Sequence, residues 1–295
     1  MFMPRKVLEE KLKQLLAEDV GQGDVTSAAV VPAELTVEAA VMAKEAGVAA
    51  GIEETAVLAE SLALTVKTEV ADGEQIKNGQ ILMKISGNAQ TILSAERTIL
   101  NLISRMSGIA TTTRRLTEKL KKAKATAKIA ATRKTAPGLL YFDKKAVLIG
   151  GGDPHRLRLD DMILVKDNHI AIAGSVESAV KRAKQNAAFS KKIEVEVTSV
   201  TDALKAAEAG ADIIMLDNFS PKQIREAIKA LKKAGFFGKI PLEVSGGITA
   251  ENLLEYASTQ VNIISMGELT HSVRALDVSL EITRIGNKGK KRASK

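Results

Sequence analysis

Two strand patterns in one chain predict an α/β protein in two parts, a mixed α/β unit in the first third and a parallel α/β barrel after it. Six short apolar runs recur from residue 128 onward, and helix-like stretches separate the last five. Strands alternating with helices make a parallel sheet, and near-continuous apolar runs are what strands covered on both faces require. Each run also ends in a polar or glycine group: Arg133-Lys134, Lys166, Glu196, Asp217, Ser245-Gly246-Gly247 and Gly267. Periodicity does not separate an open sheet from a closed one. The shared polar ends favour a closed barrel, in which the C-terminal strand ends converge on one face and build the active site.

Taken in order, residues 5–18 carry Val7, Leu8, Leu12, Leu15 and Leu16 on one side, the spacing of an amphipathic helix. Residues 35–43, "LTVEAAVMA", suit a strand, and 54–62, "ETAVLAESL", a helix. Two β runs follow, "LALTVKTEV" and "ILMKISG", with turns at "ADGEQ" and "KNGQ". From a Ser94 cap, "SAERTILNLISRMSGIATTTRRLTEKLKKAK" reads as long helix interrupted near Gly108. The barrel strands are then 128–134, 162–168, 192–198, 212–218, 241–247 and 262–268, with helices near 175–188, 201–209, 221–234 and 250–258.

At 295 residues and 45% hydrophobic, the chain can bury a large core, and with no cysteine it has neither disulfides nor thiolate chemistry. The N-terminal residues lack the apolar core of a signal peptide, and no apolar run has the length of a membrane span, so a cytoplasmic protein is expected. Of the net charge of +8, five units sit in the last eight residues, "KGKKRASK", which leaves +3 for the rest. Such a run reads as a basic disordered tail over 288–295. With two Tyr, six Phe and no Trp, little is available for stacking on bases, and nucleic acid is not an expected partner.

The strand ends define the chemistry. Arg133, Lys134 and Lys166 would repel one another unless an anion sits between them. The loop "GGGDPHRLRL" adds His155 and Arg156, with glycines that can bring backbone N–H groups close to a ligand. Arginine grips carboxylates with two bonds, and lysine serves phosphates as a point charge. Glu196 and Asp217 can hold Mg²⁺ or ribose hydroxyls, or face a developing carbocation. Ser245-Gly246-Gly247 and Gly267 close the last two strands, where barrels often bind phosphate through backbone amides. This is a site for a phosphosugar and a second, acidic ligand. Among the three histidines, His155 and His169 lie inside polar motifs, whereas His271 reads as packing.

With these residues assembled, the chain resembles the quinolinate phosphoribosyltransferases. The matching pieces are "EDVGQGDVTS" (18–27), "SAERTILNLISRMSGIAT" (94–111), "TRKTAPGL" (132–139), "GGGDPHRLRLDDMILVKDNH" (150–169), "EVEV" (194–197), "LDN" (216–218), "EVSGGI" (243–248) and "GELTHS" (267–272). The resemblance implies an α/β sandwich domain over 1–110, joined by the segment 270–287, and an incomplete seven-stranded α/β barrel over 111–269. It implies Mg²⁺ as cofactor, quinolinate and phosphoribosyl pyrophosphate as substrates, and nicotinate mononucleotide, pyrophosphate and CO₂ as products. By motif, Arg133, His155, Arg156 and Lys166 correspond to the positions that hold the dicarboxylate, and Lys134 to one near the ligand's anionic groups. Glu196 and Asp217 correspond to the acids at the ribose and metal, and Ser245, Gly246, Gly247 and Gly267 to the 5′-phosphate site. The catalytic set this implies is Lys134, Lys166, Glu196 and Asp217. Arg97 corresponds to an arginine that reaches the neighbouring subunit's site, which implies a homodimer with shared sites.

Four rivals are weighed against this reading, one of them a nucleic-acid binder acting through the basic tail 288–295, whose deletion would then abolish binding and spare catalysis. A paralogue of the same fold, ModD, differs where this chain keeps "KDNH" and the asparagine of "LDN". A nicotinate phosphoribosyltransferase needs fewer cations than Arg97, Arg133, His155, Arg156 and Lys166 provide. "DGEQIKNGQILMKISG" is similar to the hairpins of biotinyl and lipoyl carriers, but its Met83-Lys84 falls inside a strand rather than at a tip.

Overall fold

Alternation of apolar and polar side chains decides most of this architecture, seen here in a computed structural model that describes residues 3–286. The chain divides into two units: residues up to Thr111 together with the segment from Val273, and Thr112–Ser272.

In chain order the first unit contains α1 (Arg5–Val20), α2 (Val25–Val30), β1 (Thr36–Ala43), β2 (Gly47–Val48), α3 (Ile52–Ser61), β3 (Thr65–Thr68), β4 (Gln75–Ile76) and β5 (Ile81–Asn88). The long helix α4 (Ala89–Lys122) starts here and ends in the second unit. That unit holds β6 (Lys128–Ala130), α5 (Leu140–Ile149), β7 (Ile163–Val165), α6 (Asp167–Ala173), α7 (Val176–Asn186), β8 (Ile193–Val197) and α8 (Val200–Glu208). It continues with β9 (Ile213–Asp217), α9 (Pro221–Lys233), β10 (Leu242–Ser245), α10 (Leu253–Ala257), β11 (Ile263–Ser265) and α11 (Glu268–His271). The final strand, β12 (Val278–Ile285), returns to the first unit.

In the first unit the four strands β12-β1-β5-β3 form an antiparallel sheet, with α1 packed on α3 through Leu8 and Leu12, both fully buried. Strand β12 lies antiparallel to β1, pairing Ala43 with Val278 and Val37 with Ile285. Lys84 sits in the middle of β5 between Ala40 and Lys67, so it is not the exposed tip a carrier domain would present. Helix α4 differs from expectation at both marked points. It begins at Ala89, where the Asn88 side chain accepts the Thr91 N–H at 3.0 Å, five residues before Ser94. Nor does it break at Gly108. A Cβ there would lie 2.1 Å from the Arg274 carbonyl oxygen, so this glycine is a packing site for the returning segment, not a helix breaker.

The second unit is a parallel sheet of six strands in the order β6-β11-β10-β9-β8-β7. A seventh stave is a single residue long. Asp153 bridges Ala130 in parallel, with the Ala131 N–H on the Asp153 carbonyl at 2.9 Å and the Asp153 N–H on Ile129 at 2.8 Å. The two ends of this sheet, Asp153 and β7, are neighbours in sequence, which is the topology of a barrel opened at one seam. The periodicity did not single out α2, α5, α6 and α11; all but the ten-residue α5 are short. Among the described residues no helix is long and apolar enough to cross a membrane. The basic run 288–295 lies outside the described residues.

Replacing Gly108 by alanine should lower the free energy of unfolding by about 1–3 kcal/mol, because the clash with a backbone carbonyl exceeds the ~1 kcal/mol gained in helix propensity. A urea midpoint that stays level or rises would refute the packing role.

Candidate active site

Period-two alternation sends every second side chain of each barrel strand to the interior. The inward series are Ala131 and Arg133 after β6, Leu164 of β7 and Lys166 just after it, Glu194 and Glu196 on β8, Met215 and Asp217 on β9, Glu243 and Ser245 on β10, and Ser265 on β11. All but Glu194, which lies buried beneath, line a single cavity of about 490 Å³ at the C-terminal strand ends, together with Thr132, Lys134, His155, Arg156, Asn218, Gly246 and Gly247. The cavity therefore gathers Arg133, Lys134, His155, Arg156, Lys166, Glu196, Asp217, Ser245, Gly246 and Gly247 from the sequence reading. Gly267 is not a lining residue but lies beside one: a Cβ on it would come within 3.2 Å of Lys134 Cδ. Arg97 lies exposed on α4 and does not line the cavity.

Each wall has a local cause. Lys166 ends β7 and caps α6, whose helix begins at the next residue. The His169 ring accepts the Lys166 N–H at 3.0 Å through Nδ1, so "KDNH" turns from strand to helix without glycine because an imidazole closes the turn. The Lys166 ammonium pairs with Glu196, on the neighbouring strand. Behind Arg133, the Thr270 hydroxyl holds the Lys134 carbonyl at 2.8 Å. Asn218 adopts φ 55°, donates its backbone N–H to the Ser245 carbonyl at 2.8 Å and its side-chain amide to Asp217 at 2.7 Å. A Cβ on Gly246 would stand 2.2 Å from Asn218 Oδ1, and its φ is 94°, so this turn needs glycine there.

The N–H groups of Gly150, Gly151 and Gly152, expected to approach a ligand, are instead all taken up within the chain. Their N–H groups bond to Ala146, Leu148 and Val147, ending α5, and a Cβ on Gly152 would sit 2.8 Å from Val147 and Thr113. The loop they start is held instead by Lys144, a buried lysine of α5 whose ammonium donates to the Pro154 carbonyl. Burial, partly offset by Asp153, pushes the Lys144 pKa down to about 8.

At the floor of the cavity and just beneath it lie the groups that sequence reasoning missed. Glu194 and Glu243 are both fully buried, and His155 Nε2 approaches them at 3.3 and 3.2 Å. The other oxygen of Glu243 accepts the Ser265 hydroxyl. Burial works against charge on His155, but its contacts with Glu194 and Glu243 outweigh it and raise the pKa to about 9. Burial likewise raises Glu194. Both directions mean that the trio holds on to a proton that the same groups lose in water; because His155 Nδ1 accepts the Arg156 N–H, that proton stays between Nε2 and the two carboxylates, and the titration belongs to the cluster. The signal was available: a carboxylate two residues before Glu196, and another two before Ser245, must share the interior face.

The chain matches the family model described as quinolinate phosphoribosyl transferase, C-terminal domain, over residues 109–281, and the N-terminal domain model of the same family over 24–107. It is 45% identical to a probable nicotinate-nucleotide pyrophosphorylase (carboxylating) of Methanothermobacter thermautotrophicus, over 92% of this chain and 97% of that protein. A protein of the same description from Methanocaldococcus jannaschii is 47% identical, over 92% and 96%. The solved structure of NadC from Streptococcus pyogenes aligns with a TM-score of 0.87 at 36% identity, covering 97% of this chain and all of that one.

The cluster should make folding stability fall with pH. A raised folded-state pKa gives stability that is complete below the unfolded histidine value, near 6.5, and is lost as pH rises through about 9. Lys144 runs the other way from pH 8 upward, since its depressed pKa costs stability only while the ammonium persists. The clean window is therefore pH 6.5–8, where the loss should approach roughly 2 kcal/mol. Denaturant midpoints in His155→Gln should be flat across it; an equal slope in both proteins would refute the assignment.

Proposed function

The chain belongs to the quinolinate phosphoribosyltransferase family, and on that footing we propose which of its residues carry the family's reaction. The enzyme transfers the phosphoribosyl group of phosphoribosyl pyrophosphate to quinolinate with decarboxylation, giving nicotinate mononucleotide, pyrophosphate and CO₂ in NAD biosynthesis. The observation that carries the residue assignment is the polarity of the cavity. Arg133, Lys134, Arg156 and Lys166 form one cationic wall, Glu196 and Asp217 stand between, and Ser245-Gly246-Gly247 forms the far side.

In this reading Arg133, Arg156 and Lys166 receive the two carboxylates of quinolinate, with His155 at the base of that wall and Lys134 near the anionic groups. The Ser245-Gly246-Gly247 turn, with Gly267 behind Lys134, receives the 5′-phosphate through backbone N–H groups. Lys166 is paired with Glu196 in the free site, so an arriving carboxylate exchanges one anionic partner for another and does not meet a bare charge. Release from Lys166 frees Glu196 to join Asp217 at the ribose.

The pyridine nitrogen carries no proton and attacks C1 of the ribose as the C–O bond to pyrophosphate breaks. No base is required. Positive charge develops on the ribose, and the carboxylates of Glu196 and Asp217 stabilise it. The pyridinium formed then draws in the electron pair of the breaking C2–carboxylate bond. CO₂ leaves, and C2 takes up one proton. The donor set fits Mg²⁺, since Glu196 and Asp217 offer hard oxygens from adjacent strands and such an ion takes few protein carboxylates beside substrate phosphates. When bound it would screen the charge on the pyrophosphate oxygens. We place the reaction in the cytoplasm, in a homodimer whose partner lends Arg97 to each site.

Turnover with phosphoribosyl pyrophosphate and Mg²⁺ is the first test. Quinolinate should yield mononucleotide and CO₂ while nicotinate should not react; the reverse would overturn the dicarboxylate wall. Arg97→Ala and Lys166→Ala should each lose about 100-fold in kcat/KM. Mixed and reassembled, the two variants should recover about a quarter of wild-type sites, one per heterodimer. Heterodimers that form and stay inactive would refute the shared site.

A further inference from the structure

His155 lines the cavity, yet neither of its ring nitrogens is free for a ligand. Nδ1 accepts the backbone N–H of Arg156 at 2.8 Å, so while that bond holds Nδ1 bears no proton. The ring proton is then on Nε2, which faces Glu243 at 3.2 Å and Glu194 at 3.3 Å. The backbone is fixed as tightly. His155 takes the left-handed conformation at φ 53°, costly for a residue with a Cβ, and its N–H is held by Asp153 Oδ1 at 2.7 Å. Arg156 follows directly and is itself buried, with its guanidinium reaching back to the Met162 carbonyl at 3.4 Å.

The geometry points to Glu243, seconded by Glu194, as a positioning residue: it holds His155 as the Nε2–H tautomer, and the imidazole in turn sets the backbone from which Arg156 enters the cavity. Glu243 suits the task because Ser265 occupies its other oxygen, so the carboxylate cannot rotate away from the imidazole without losing a second bond. His155 is then a strut under the cationic wall, acting on the acidic ligand through Arg156. This deepens the dicarboxylate assignment made above and rests on it only for its kinetic consequence.

The experiment has two independent arms. Long-range ¹H–¹⁵N spectra of the imidazoles read the tautomer directly, and with three histidines in the chain His155 is assigned by its loss in His155→Gln. Wild type should show His155 protonated at Nε2 and bare at Nδ1. Glu243→Leu, which removes the acceptor, should shift or broaden that signal. It should also raise KM for quinolinate about tenfold, leaving KM for phosphoribosyl pyrophosphate within about twofold. Glu243→Gln, which keeps an oxygen for the imidazole, should restore both readouts to near wild type. If Glu243→Leu does not fold, Ser265→Ala, which frees the other oxygen of Glu243, loosens the same contact and should give a smaller KM change in the same direction.

A wild-type His155 protonated at Nδ1 overturns the proposal. So does a KM for quinolinate that is unchanged in a folded variant, or a loss shared equally by both substrates. If wild type fails to turn over quinolinate at all, the functional assignment fails, while the tautomer arm still decides the role of Glu243.

Discussion

A carboxylate buried inside a barrel must find its donors within the barrel, and that constraint organises the catalytic end of this molecule. Glu243 has no water to turn to. It takes a hydroxyl from β11 and an imidazole from the loop after the one-residue stave, with Glu194 of β8 beside it. Three parts of the wall are thereby tied through one polar cluster, and the loop that delivers Arg156 is drawn inward at a defined height. An apolar residue at Glu243 would fill the same space and leave the loop without its anchor. Buried polar groups of this kind specify an arrangement more than they add stability.

Above that floor the charges are arranged in opposition. Arg133, Lys134, Arg156 and Lys166 would disperse if left alone, and the structure restrains them with partners. Lys166 leans on Glu196, and the backbone of Lys134 is held by Thr270. Lys144 supports the 153–156 loop from outside the cavity at the expense of part of its own affinity for a proton. The site is thus assembled before a ligand arrives, and ligand binding exchanges partners at Lys166 without creating order from a loose set of side chains.

The strands, their parallel order and their polar ends were legible in the sequence because apolar runs and their terminal residues are local features. Arg133, Lys166, Glu196 and Asp217 could be found for the same reason. Glu194 and Glu243 were passed over because each sits within an apolar run, where the eye follows the hydrophobic majority and not the alternate face. Gly108 and the triple glycine at 150–152 misled in the opposite way. Both were read through local chain flexibility, while their cause is contact with residues distant in sequence: Arg274 for Gly108, and Thr113 of α4 for Gly152. The seventh stave, one residue long, has no pattern to read. His169 shows that a strand can turn into a helix on side-chain chemistry alone.

The seam of the barrel has a mechanical meaning. Everywhere else around the circumference, neighbouring staves are joined by ladder hydrogen bonds whose spacing fixes the girth. Between Asp153 and β7 no such ladder exists, and the span is bridged by the loop that bears His155 and Arg156. The diameter of the cavity at that point is therefore set by side chains, whose lengths substitution can alter one at a time. A barrel of this kind can be re-bored for a wider or narrower acid by changing residues at its seam, with no strand shifted in register.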